Sequence, residues 1–379
     1  MAQLTFPGYD LDRARRYGRI RRLGALGQMA TSLARSAALI TTGHAQRTRD
    51  WIGERVPSDV LADAAHLVVL TAETWALGLP ERYLLHQRLE REWGMTRRAD
   101  RDWFREEVLS LGVQGALAVP MGSAALAVVR KSPDRWHLIL PGVAVPVQIV
   151  LVQLAPVLLF PIFNRFDPIT DDDLASRIYE LADRAGVPLG GIYVADMSRQ
   201  TEKANAFFAG IGATKRVVLD DTLLRSFKPD EVDGVVAHEI GHQVHGDLWR
   251  MSAANAVAGF AGAFALKWLM PKAAGTTAKW TGTRSFDTSG SLPVWGVVSS
   301  LMGAIASPMF MAMSRAIERR TDGYAVRLTG DGPAYARGME RLMRQNLDDP
   351  YPPKWSTVLF RSHPPTGERI EAALRHAGD

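Results

Sequence analysis

The chain has 379 residues, room for two or three soluble domains or one polytopic membrane protein. It contains no cysteine, which excludes disulfides, thiolate metal ligands and cysteine nucleophiles. A net charge of +5 suits nucleic acid only when basic residues and aromatics share a folded face; here the arginines cluster beside apolar runs, which points to a lipid bilayer and away from nucleic acid.

In chain order, the first apolar window is Leu23–Thr42, interrupted by Arg35, and the second is Leu61–Pro80, which holds Asp63, His66 and Glu73. Both are read as spans, with a helix lying at the membrane surface as the other reading of each. Val108–Val129 carries no charge and is long enough to cross a bilayer. Leu138–Phe163 is longer and contains four prolines, which spans tolerate better than soluble helices do. Met251–Met270 and Leu292–Met313 complete six expected spans. Arginines crowd Met1–Arg22 and Glu81–Glu107 and are fewer in the alternate loops, so these segments are assigned to the inside. The same count puts Asn164–Arg250 and Ser314–Asp379 inside. Basic residues that are mostly Arg, with abundant Ala and Gly, hint at a GC-rich bacterial genome, so the expected location is the bacterial cytoplasmic membrane with the chemistry facing the cytoplasm.

Between the fourth and fifth windows lies a soluble stretch. Asp171–Ala185 has helical periodicity with Thr170 or Asp171 as its cap, and GIYVAD and RVVLDD read as short strands. Pro229 suits the first turn of a helix carrying VVAHEIGHQVHGD, Val235–Asp247, which is expected to run on into the span at Met251. Pro271–Ser291, rich in Gly, Ser and Thr, reads as a mobile loop. HEIGH matches HExxH: on a helix His238 and His242 are four apart and face the same way, able to share one metal ion. Glu239 sits beside them, able to take a proton from a water made acidic by zinc. A third protein ligand is required. His245 lies one turn further on but reads as a polar residue beyond the metal. Glu318 and Asp322, four apart in MSRAIERRTDGYAV, are the better source: one carboxylate for the metal, the other to accept an N–H from a ligand histidine.

Six stretches in order, LEREWGMT, APVLLFPIFNRFDPI, KANAFFAGIGATKRVVLDDTLL, AHEIGH, SRAIERRTD and SHPPTGERI, resemble the CAAX prenyl endopeptidase family of integral-membrane zinc metalloproteases, over most of the chain. The resemblance implies one zinc ion held by His238, His242 and Glu318, with Glu239 as catalytic base and Asp322 behind a ligand histidine. It also implies Asn205 on a strand lining the substrate cleft and His363 and Arg369 near the active site, His363 in catalysis and Arg369 in substrate binding. Family members are often drawn with seven spans, against six counted here, and a bacterial origin argues against a prenylated substrate.

The fold expected is mainly α, polytopic membrane helices with a zincin-like α+β metalloprotease domain made of the HExxH helix and a small sheet. The domain boundaries expected are 1–163 for an N-terminal membrane region, 164–250 for the first part of the metalloprotease domain, 251–313 for two further spans with an external loop, and 314–379 for the part holding the third zinc ligand. The function expected is endoproteolysis of membrane-associated proteins or peptides, the peptide binding as an added strand on the NAFFAG edge. The competing reading is a non-catalytic membrane scaffold or channel with a structural metal site. Glu239 separates the two, because a structural site has no use for a carboxylate beside its first histidine and closes its fourth position with protein. A secondary transporter would show charges inside the clean spans and two similar halves, and neither is visible.

Overall fold

A computed structural model describes residues 4–210 and 215–376; residues 211–214, inside the KANAFFAGIGATK stretch, lie outside the described residues. The chain is mainly helical. Five helical segments are long and apolar enough to cross a membrane: Asp59–Glu92, Asp100–Lys131, Trp136–Ala155, Asp247–Thr281 and Ser289–Thr329. Less than a quarter of each apolar window is buried within the protein. Side chains such as Ile305 (82% exposed) and Val257 (71% exposed) therefore stand outward, as side chains that face lipid do.

The first of the six expected spans is the exception. Leu23–Thr42 lies on helix α1 (Leu11–Thr41), which is long but not apolar enough to be among the five, because arginines and small polar residues are spread along it. α1 still packs on α11 (Asp247–Thr281) and α12 (Leu292–Thr329). Its polar groups turn to α3 (Asp59–Arg82), where Glu81 accepts from Thr31 Oγ1 at 2.9 Å and pairs with Arg35 at 3.2 Å.

Two further expectations are corrected. The HExxH helix does not run into the next span: α10 (Pro229–His245) stops at Gly246, which has φ +62°, and α11 starts afresh at Asp247. Glycine takes this left-handed conformation without the steric cost other residues meet. Pro271–Ser291 is not one loop either. α11 continues through Pro271 to Thr281, and Ser289–Ser291 forms a buried turn in which the Ser289 N–H and hydroxyl both donate to Asp63.

The soluble part is built on a four-stranded sheet in the order β1-β2-β4-β3: β1 (Phe166–Pro168), β2 (Gly191–Ala195), β3 (Ala206–Ala209) and β4 (Arg216–Asp220). β2 and β4 are parallel, with Ile192 opposite Val217, and β3 is antiparallel to β4, with Phe207 opposite Val218. β3 is thus an edge strand, and α10 lies against it. One core joins chain segments far apart in sequence. Ile178 of α8 (Asp172–Arg184), Val217 and Leu219 meet Val236 and Ile240 of α10, Ala325 of α12, and Tyr335 and Met339 of α13 (Gly332–Gln345). α8 begins as expected, with Asp171 Oδ1 accepting from Leu174 N at 3.0 Å.

Candidate metal centre

α10 starts with Pro229 in its first turn and with Glu231, whose side chain accepts from the Lys228 N–H at 3.0 Å. Val232, Val236 and Ile240 anchor it in the core. His238 and His242, one helical turn apart, face α12. The two helices come close because of Gly241, which sits between the histidines: a Cβ there would lie 2.9 Å from Thr321 Cγ2 and 3.0 Å from Tyr324 Cδ1. This proximity brings Glu318 to the histidines. His242 Nε2 is 3.2 Å from His238 Nε2 and 3.6 Å from Glu318 Oε1, and His238 Nε2 is 3.3 Å from Glu318 Oε2. Ligand atoms of the three residues lie within 4.8 Å of one another, and they form the one such group among the described residues.

Each histidine has a carboxylate behind it. His238 Nδ1 is 2.9 Å from Asp322 Oδ1, and His242 Nδ1 is 2.9 Å from Asp247 Oδ2. A carboxylate accepts, so each Nδ1 carries the proton and each Nε2 presents a lone pair. Two lone pairs and a carboxylate then converge on one point, and the buried Glu318 Oε2 accepts no hydrogen bond. Acceptors aimed at each other repel unless a cation lies between them, so these residues fit a metal ion with two nitrogen ligands and one oxygen ligand. Burial opposes charge on His238, but the Asp322 and Glu318 carboxylates beside it outweigh burial and push its pKa up to about 9; the site attracts positive charge.

Glu239 is half-buried and makes no hydrogen bond or ion pair among the described residues. Burial pushes its carboxyl up, against the pull of His238 and His242. His363 places Nε2 3.4 Å from Glu318 Oε1 and keeps 57% of its side chain exposed. It lines a cavity of about 580 Å³ that also takes in Asn205, just before β3, and Arg369. Arg369 on α15 (Thr366–His376) is mostly buried: its Nε and Nη2 donate to the two oxygens of Asp322 at 2.9 and 2.7 Å. His245 stands outside the cluster, edge-on to Tyr324 at 5.3 Å.

The sequence reading missed three members. Asp247 is one; Arg320 pairs with its other oxygen from α12. Tyr335 is the third, its hydroxyl donating to Asp322 Oδ1 at 2.6 Å and lying 3.2 Å from His238 Nδ1. Gly246 gave a signal for Asp247, since a glycine closing a helix lets the next residue fold back. Nothing local marks Tyr335, 97 residues from His238 in sequence.

Comparison with known proteins gives the family. The family model described as "Peptidase family M48" matches residues 168–377, and the one described as "CAAX prenyl protease N-terminal, five membrane helices" matches residues 5–165. The chain belongs to peptidase family M48, as an integral-membrane, multi-pass member of this metalloprotease family. It is 26% identical to the "Uncharacterized metalloprotease YhfN" of Bacillus subtilis over 88% of this chain and 78% of that one. It is 35% identical to "CAAX prenyl protease 1" of Saccharomyces cerevisiae over 49% of this chain and 41% of that one. The solved structure of S. mikatae Ste24p is similar over 96% of this chain and 88% of that chain, with a TM-score of 0.84 and 25% identity.

Proposed function

We propose that the chain is a zinc endopeptidase that cuts peptide bonds in membrane-associated proteins or peptides, with His238, His242 and Glu318 as the ligands. The observation that carries this reading is the convergence of three lone-pair donors beside an unpartnered Glu239. When bound, zinc polarises a carbonyl oxygen and makes water acidic enough to lose a proton near neutral pH. Glu239 takes the proton of the attacking water and passes it to the leaving amine. General-base catalysis of this kind is worth about 100- to 10,000-fold. His363, exposed to the cavity beside Glu318, donates to the carbonyl oxygen as it gains charge. The free edge of β3 holds the substrate backbone as an added strand, with Asn205 at the start of that edge. Asp322 and Arg369 act from behind His238 and do not touch the substrate. The catalytic body is assigned to the cytoplasmic side of a bacterial membrane. α11 and α12 lead out and back, so residues 164–250 and 314–379 share one side, and the inside assignment follows from the arginine-rich segment Glu81–Glu107, which two spans separate from residue 164.

The test is Glu239→Gln. Peptide cleavage is expected to fall by about 100- to 10,000-fold with zinc content and thermal stability kept, because the amide has the carboxylate's size but cannot accept the proton. Wild-type cleavage by Glu239→Gln in a preparation free of other proteases overturns the mechanism.

A further inference from the structure

His238 and His242 are held differently. The carboxylate behind His238 comes from α12, while the one behind His242 comes from α11. In an unbroken α10, residue 247 would sit about 140° round the helix axis from His242 and could not reach its ring nitrogen. The left-handed Gly246 turns the chain, and Asp247, as the first residue of α11, comes back to His242 Nδ1 at 2.9 Å. Asp247 is 4% exposed, and its second oxygen pairs with Arg320 of α12. The Thr321 hydroxyl lies 3.5 Å from its first. α11 and α12 are both candidate membrane spans.

We propose that Asp247 is a positioning residue for His242, and that the Asp247–Arg320 pair makes retention of the metal depend on the docking of α11 against α12. The inference rests on reading the cluster as a zinc site. Asp247 fixes the tautomer that turns His242 Nε2 towards the ion. Arg320 acts through Asp247, holding the carboxylate where α11 begins. Loosening of the two helices at this point withdraws the carboxylate, frees the imidazole to turn, and releases zinc without unfolding the core around Val236 and Ile240.

The test measures zinc release to a chromogenic chelator from the purified full-length protein, with cobalt-substituted absorption spectra as a second readout. Asp247→Asn is expected to release zinc about 10- to 100-fold faster, the range for lost partners behind a ligand histidine, and to alter the cobalt spectrum. Arg320→Gln is expected to show a smaller increase, and the double variant to match Asp247→Asn alone, because the arginine works only through the carboxylate. Arg98→Gln is the control for stability alone: it breaks a partly buried ion pair with Glu106, neither residue has a hydrogen bond or ion pair with α10, α11 or α12 among the described residues, and it is expected to leave zinc release unchanged. Wild-type release from Asp247→Asn overturns the inference, as does equal acceleration by Arg98→Gln. Additive effects of the two variants overturn the part assigned to Arg320. A wild-type protein that binds no zinc removes the metal reading itself, a result distinct from all of these.

Discussion

Arg369→Leu separates two roles for one side chain. Its guanidinium holds both oxygens of Asp322, at 2.9 and 2.7 Å, and reaches the Tyr335 hydroxyl at 3.1 Å. Arg369, Asp322 and Tyr335 are 9%, 5% and 1% exposed, so water cannot replace what is lost. Removing one partner of a buried ion pair costs about 3–5 kcal/mol, chiefly because the other charge is left uncompensated. Asp322 keeps two donors, the Tyr335 hydroxyl at 2.6 Å and His238 Nδ1 at 2.9 Å, which places the cost at the lower end, about 3 kcal/mol. Arg369→Lys is expected to recover little, because a single ammonium cannot hold two carboxylate oxygens in a fork. Tyr335→Phe removes one hydrogen bond to a charged acceptor, about 1.5–3 kcal/mol, and is expected to be the milder change. Thermal unfolding in detergent, read alongside zinc content, orders the three variants. A different pattern refutes the reasoning: Arg369→Leu with wild-type stability and zinc but a KM raised severalfold makes Arg369 a substrate contact.

Gly241→Ala inserts a methyl 2.9 Å from Thr321 Cγ2 and pushes α10 from α12. Overpacking of this kind costs about 1–3 kcal/mol, and zinc content is expected to fall further than the loss of stability explains, because Glu318 moves away from the histidines. Asp220, 2% exposed at the end of β4, is pushed up to about 7 by burial, with Asp221 adding to it. The folded state then binds its proton more tightly than the unfolded chain, so stability falls as pH rises from about 4 to about 7, by up to roughly 4 kcal/mol. Asp220→Asn is expected to flatten that slope and to raise the unfolding temperature at pH 8; an unchanged profile refutes the burial argument. Chelation is expected to abolish cleavage and to lower the unfolding temperature, removing the stability that bound zinc adds, about 4 kcal/mol at a thousandfold excess over Kd. The helical circular dichroism should persist, since the core needs no metal, and added zinc should restore activity.

What the sequence made legible was local. Span hydropathy is a property of one window, and the spacing of His238 and His242 follows from the helical repeat. Glu318 was different. A Glu-x-x-x-Asp pair is common on solvated helices, and its meeting with His238 depends on the close approach at Gly241, which a resemblance conveys and a spacing does not. The resemblance implied Arg369 in substrate binding, but its ion pair with Asp322, 47 residues away on another helix, left no mark in the sequence. Thr276, Thr277 and Thr281 favoured a loop over 271–291, yet each donates its hydroxyl to the carbonyl four residues back, which lets α11 continue. The break at Gly246 was hidden for the opposite reason: the apolar run beyond it looks continuous with the HExxH helix.

The charges around the cluster give an independent argument for a divalent ion. Glu239, Glu318, Asp322 and Asp247 are four carboxylates, each buried or half-buried, and two guanidiniums, Arg369 and Arg320, pair with them. Without an ion, His238, whose pKa is pushed up to about 9, takes a proton and offsets one of these negative charges. As neutral metal ligands, with their Nδ1 protons on Asp322 and Asp247, the two histidines would leave the set with two negative charges in a place where burial makes such charges costly. A dication held by His238, His242 and Glu318 would neutralise the set and supply the missing partner for Glu318 Oε2. The two arginines are then as much part of the metal site as its ligands. They compensate the carboxylates that orient the histidines, and so would leave the ion's charge for Glu318 and Glu239.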